Sequence, residues 1–197
     1  MSLESEGRRT VRDPLAMRAM AHPLRLKLHA LVGREGTITA AEAARALGIS
    51  QALASHHLRQ LAKYGFVEPA EAPDNRERPW RTTHSSTGYE PPSDPDGWDS
   101  IEVLERVILD RVTVQFTDWQ QRRAEADPRW AEHTGISQNL VYLTIDEMED
   151  LRRAWEDLID PLVRRRRIGD AAARPADAVP VDVTLVCAPV PPTPSGG

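Results

Sequence analysis

"SQALASHHLRQLAKYGFV", residues 50–67, places a polar residue ahead of a helical pattern, sets two adjacent histidines in its middle, and stops at a glycine. Ser50 can accept a hydrogen bond from the first helical turn, and Gly65 can take the left-handed conformation that ends one. On a helical projection, Ala54, His57, Leu58 and Leu61 fall on one side. Gln51, Ala52, Ser55, His56, Arg59 and Lys63 fall on the other. The first set is small and apolar enough to pack on neighbouring helices. The second offers hydrogen-bonding heads and one small residue that permits close approach of the backbone. His56 is therefore expected outside and His57 at the edge of the buried face. Neighbouring helical positions diverge by about 100°, so this pair is a poor chelate, whereas histidines four apart would share a face.

Working backwards, "TAAE" at Thr39 to Glu42 reads as a capping box that opens a short helix to Leu47, ended by Gly48. Two short helices joined across "GIS" form a helix-turn-helix. Before them, Leu15, Met17, Met20, Leu24, Leu28, Leu31 and Val32 repeat close to 3.6 residues, with a break or fresh start at Pro23. His22 reads as a capping or packing residue, and His29 as exposed or at a helix contact. Working forwards, "GFVEPAEAPDNRERPWRTTH" shows strand signals at Phe66 to Glu68 and Trp80 to His84 around a tip with Pro73, Asp74, Asn75 and Pro79. That is a β-hairpin following the helix, with Arg76, Arg78 and Arg81 placed to lie along a phosphate backbone.

The segments "MAHPLRLKLHALV" and "TAAEAARALGISQALASHHLRQLAKYGFVE", with the hairpin, resemble the winged helix-turn-helix domain of the ArsR family of bacterial transcriptional regulators over residues 13–84. The resemblance rests on alanine-histidine-proline followed by leucine-arginine, and on serine-x-histidine with leucine and arginine in the third helix. It implies a homodimer that binds an imperfect palindrome in double-stranded DNA, usually as a repressor. By that analogy Gln51, Ala52, Ser55, His56 and Arg59 meet the major groove, with Ser50 and Lys63 at the ends of the same face, while Arg76, Arg78 and Arg81 serve the flanking phosphates. Metal-sensing relatives use a cysteine pair or Asp and His ligands from a late helix. Here the sole cysteine is Cys187, and no histidine lies between Trp98 and Asp127. No metal is expected.

The 197-residue chain divides by composition and by charge. "SSTGYEPPSDPDGWD", residues 85–99, is rich in Ser, Pro, Gly and Asp and reads as a linker. Residues 1–90 carry 13 Arg or Lys against 10 Asp or Glu, a net +3, and residues 91–197 carry 12 against 20, a net −8. The expected organisation is a flexible start at 1–12, a winged domain at 13–85, a linker at 86–99, a C-terminal domain at 100–190 and a disordered tail at 191–197. In fold class this is mainly α with a small β component (α+β).

In the C-terminal part the pattern predicts helices over about 100–125 and 145–167, and strands at "NLVYLT" and "VPVDVTLVCAPV" that could pair with each other. Ile101, Leu104, Ile108, Val112 and Trp119 form a stripe expected at a dimer interface, though it could equally pack within one chain. Trp119, Trp130, Tyr142 and Trp155 could enclose a small organic effector or simply form core. "TIDEMED" at Thr144 to Asp150 reads as a second capping box, and "RRRR" at Arg164 to Arg167 as cations at a helix carboxyl end.

No catalytic acid pair, nucleophile elbow or phosphate loop appears, so neither an enzyme nor a cofactor is expected. No apolar run is long enough for a membrane helix or a secretory leader, which points to a cytoplasmic protein without a membrane partner. The rival reading is a winged helix that docks proteins and has no sequence-specific DNA binding.

Overall fold

The computed structural model describes residues 8–71, 78–84, 86–90, 95–165 and 174–191. In chain order these form β1 (Arg8–Val11), α1 (Pro14–Met20), α2 (Pro23–Glu35), α3 (Ala40–Leu47), α4 (Gln51–Lys63), β2 (Val67–Pro69), β3 (Trp80–Thr82), β4 (Ser86–Tyr89) and α5 (Pro95–Arg122). A 3-10 turn at Arg123–Glu125, α6 (Pro128–His133) and α7 (Ile145–Arg165) follow. The fold is a mainly helical α+β arrangement around a winged helix-turn-helix.

Local chemistry sets the helix boundaries. Asp13, His22, Thr39 and Ser50 each cap a helix with a side-chain acceptor. At Pro23 the missing N–H falls where a helix has no use for it, so the early apolar run divides into α1 and α2. The Thr39 capping box is complete, with the Thr39 N–H donating to Glu42 Oε2 at 2.8 Å and the Glu42 N–H to Thr39 Oγ1 at 3.2 Å. Gly48 closes α3 at φ +65° and Gly65 follows α4 at φ +71°, a region other L-residues enter at a cost.

One core unites α1 to α4 with the start of α5. Met17, Met20, Leu28, Val32, Leu58, Leu61 and Phe66 are all but inaccessible. β2 and β3 pair antiparallel with Val67 opposite Thr82, and an isolated bridge between Ile38 and Trp80 ties this hairpin to the chain before α3.

Several boundaries differ from the sequence reading. Residues 8–12 are not a loose start: β1 pairs parallel with β4, Arg8 opposite Ser86 and Val11 opposite Tyr89, and the pair ends in an Arg12–Glu90 salt bridge at 2.8 Å. Residues 86–90 and 95–99 accordingly do not form a linker, since they hold β4 and the first turn of α5, which begins at Pro95, while 91–94 lie outside the described residues. Ile101 and Leu104, expected at a dimer contact, are 5% and 0% exposed within the single chain, inside the core formed with α1 and α2. The short strand pair expected in the C-terminal part is absent among the described residues as well. Residues 139–144 and 181–187 form no regular secondary structure, pair with no described strand and are exposed, so the expected pairing does not form within the chain. Tyr142 is fully exposed, so the aromatic residues do not enclose a cavity within the chain. The tail expected at 191–197 lies, after residue 191, outside the described residues.

Candidate nucleic-acid interface

α4 holds itself in place through the side opposite its polar face. Ala54, His57, Leu58 and Leu61 are buried against the helices before it, and α3 packs across it. Burying these apolar side chains is what fixes the helix, at roughly 25 cal/mol per Å² of surface removed from water. Ser50 Oγ accepts from the Leu53 N–H at 3.2 Å and so satisfies one open amide of the first turn.

The opposite face is uncovered. Gln51, Ala52, His56, Arg59 and Lys63 are exposed and Ser55 is half-buried. Lys63 Nζ sits 5.5 Å from the centre of the Tyr64 ring, which biases it toward the carboxyl end of the helix. Leu53, assigned to neither face in the sequence reading, is 40% exposed on the first turn. An apolar side chain there suits the methyl group of a thymine, as the polar ones suit base-edge donors and acceptors. Its signal was available in the spacing, since it follows Ala52 around the same open side.

His57 has a different setting. Its ring lies 4.8 Å from that of His22 and 5.2 Å from that of His56. Burial lowers the His57 pKa, and the neighbouring His22, Arg25 and His56 lower it further. The His22 pKa is lowered in the same way, by burial first and Arg25 second. Its Nδ1 accepts from the Leu24 N–H at 3.1 Å, so it caps α2. These two rings are part of the joint between α2 and α4. Among the described residues no group of three or more His, Cys, Asp or Glu is placed to hold a metal ion.

The hairpin supplies fewer open cations than its sequence promises. Arg81 donates from Nε to Glu68 Oε1 at 2.8 Å across β2 and β3, which offsets its charge. Arg78 is exposed at the near end of the tip, and Arg76 lies outside the described residues. Arg9 was not anticipated: its Nη1 donates to the Gly65 carbonyl at 2.7 Å, and its guanidinium lies 4.7 Å from the Phe66 ring centre. It ties β1 to the turn that ends α4. Elsewhere in this half, an open cavity of about 470 Å³ is lined by His22, Pro23, Leu24, Lys27, Leu47 and Ile49. It lies far in sequence from the aromatic residues considered for an effector.

The model of a helix-turn-helix domain family matches residues 20–70, about a quarter of the chain. No curated protein matches the chain. Among solved structures, the apo form of wild-type MarR from E. coli is 14% identical, with a TM-score of 0.31 over 73% of this chain and 88% of that one. A cysteine-to-serine mutant of MarR from E. coli is 16% identical, with a TM-score of 0.31 over 68% and 75%. RV1404 from Mycobacterium tuberculosis is 12% identical, with a TM-score of 0.32 over 75% and 81%.

Proposed function

We propose that the chain is a DNA-binding transcriptional regulator of ArsR type, a homodimer that represses by holding a palindromic operator. The observation that carries this reading is the division of α4: one side is locked in the core, and the other presents Gln51, Ala52, Leu53, His56 and Arg59 at the surface. A major groove about 12 Å wide accepts such a helix, and Arg59 can form a bidentate pair with a guanine edge. Lys63 and Arg78 flank the helix as phosphate contacts, and Arg76 joins them by its place in the sequence.

The dimer contact belongs to the outer part of α5. Ile108, Val112 and Trp119 are half-buried there, while Leu109 and Val114 are 44% and 57% exposed. A two-fold axis through this segment sets two copies of α4 to read half-sites about 34–36 Å apart. A small organic effector, acting through the C-terminal part, fits this arrangement without a metal.

The test is binding to duplex DNA from the region upstream of the chain's own gene across a range of salt. Affinity should fall with a log–log slope near −0.9 for each phosphate neutralised, and a footprint should show two-fold symmetry. Association that ignores salt, with no protected sequence, would overturn the reading in favour of a winged helix that docks protein.

A further inference from the structure

α2 and α4 meet at two imidazoles, and neither is placed to carry a charge. His22 caps α2: its Nδ1 accepts the Leu24 N–H at 3.1 Å, which only an unprotonated ring nitrogen can do. Its ring lies 4.8 Å from that of His57, which is 7% exposed in the middle of α4. His57 Nδ1 is buried and has no hydrogen-bond partner among the described residues. A protonated ring carries an N–H at both nitrogens, so charging His57 would leave one donor buried and unmet.

The surroundings oppose both cations. Arg25, one turn along α2, is held beside the pair because its guanidinium donates to the Ala19 and Arg18 carbonyls. It acts on both rings, and His56 acts on His57 from a ring distance of 5.2 Å. Lys27 shares with His22 the wall of the open cavity, to which the α3–α4 connection brings the apolar Leu47 and Ile49. Tyr64, which follows α4, faces Arg25, and Arg111 of α5 acts on His29. The carboxylates of α1 to α4 and the hairpin strands are engaged elsewhere. Asp13 caps α1, Glu35 pairs with Arg34, Glu42 closes the Thr39 box and Glu68 pairs with Arg81. Burial, then the neighbouring charges, hold both histidines below the ordinary imidazole range, and a contact of His22 with its own backbone opposes this only in part.

We propose that the His22–His57 contact is a proton-operated catch on the reading helix. With both rings uncharged, α2 is capped and α4 is held with its polar face outward. In acid, His22 takes up a proton and can no longer accept from Leu24, and its charge is unfavourable at a helix amino end. It turns into the cavity of about 470 Å³ that it already lines, which withdraws the surface His57 packs against and loosens α4. The loosened joint binds more protons than the closed one, so the catch is complete above pH 6.5 and is lost as the pH falls. Affinity for DNA then falls with the fraction of chains that hold α4 in place. This consequence rests on the regulator reading given above, whereas the catch itself does not.

The test uses the full chain in three forms: wild type, His22→Asn, which keeps a capping acceptor that does not titrate, and His22→Ala, which has none. Without DNA, NMR of the imidazole nitrogens and amide exchange scaled to its intrinsic rate are followed from about pH 7.5 to about pH 5.5. In the wild type, exchange of the α4 amides should rise several-fold in step with protonation of His22. It should stay level in His22→Asn and be high throughout in His22→Ala. Binding to duplex DNA from upstream of the chain's own gene should follow the same order, and any slope due to His56 or His57 is common to all three forms. Equal profiles for wild type and His22→Asn overturn the catch, as does a His22 already charged at the upper pH. If His22→Ala does not fold, wild type against His22→Asn still decides. An exchange difference without DNA binding in any form sinks the regulator reading and leaves the catch, and DNA binding with equal profiles does the reverse.

Discussion

Arg59 projects from the middle of α4 and forms no ion pair among the described residues, so its guanidinium is open to an external acceptor. Arg59→Ala should cost about 1–3 kcal/mol of operator affinity and relax the preference at one base pair, read by competition between operator variants. If affinity and preference both survive, the groove face has been misassigned. His29 behaves oppositely, since it looks inward. Its ring meets Phe66 edge-on at 6.0 Å, and burial, with Arg111 and Arg9 nearby, pushes its pKa down to about 4. The unfolded chain takes up this proton first, so its contribution to stability is complete above pH 6.5 and is lost as the pH falls toward 4. His22 and His57 are shifted in the same direction. The melting temperature should therefore drop with acid, and His29→Gln should flatten the lower part of that curve; an unchanged curve would show that His29 is already solvated.

Among the elements, α4 depends on the two residues that start it. Ser50→Ala removes the acceptor for Leu53 and should cost about 1 kcal/mol of stability. Gly48→Ala should cost about as much for a different reason. No atom lies within 4 Å of its missing Cβ, so the penalty comes from φ +65° and not from crowding. Thermal melts of both variants, with Gly48→Asn milder than Gly48→Ala, check this; equal melts for Gly48→Asn and Gly48→Ala would point to packing instead. These caps were legible in the sequence because each depends on residues within one turn, and the two faces of α4 were legible for the same reason. β1 and β4 were not, since "RRTV" and "STGY" lack an alternating apolar pattern and meet across more than seventy residues. The start of α5 did carry a local signal in the Asp-Pro at 94–95, a pairing suited to a helix entrance, but the surrounding Pro, Ser and Gly obscured it. Neither late strand reading is met among the described residues, since an apolar pattern, alternating at 181–187 or continuous at 140–143, forms a strand only where a neighbour completes it.

At the scale of the molecule, α5 belongs to two environments. Leu104 lies in the core with Met17 and Met20, so Leu104→Ala should cost about 2–5 kcal/mol and lower the melting of the whole winged domain. A loss of dimer with unchanged melting would instead return Leu104 to the interface. Fifteen residues further on, Trp119 stands about 22 Å along the same helix, beyond the core. The helix is pivoted near one end and loaded at the other. A swing of about 5° at the pivot carries Trp119 through about 2 Å over that length. Read in reverse, a displacement of the outer end reaches the core end of α5 as only a slight rotation. α5 meets α1 and α2, and both of these meet α4, so a grip on the far end of α5 would act on α4 only through the packing of two intermediate helices.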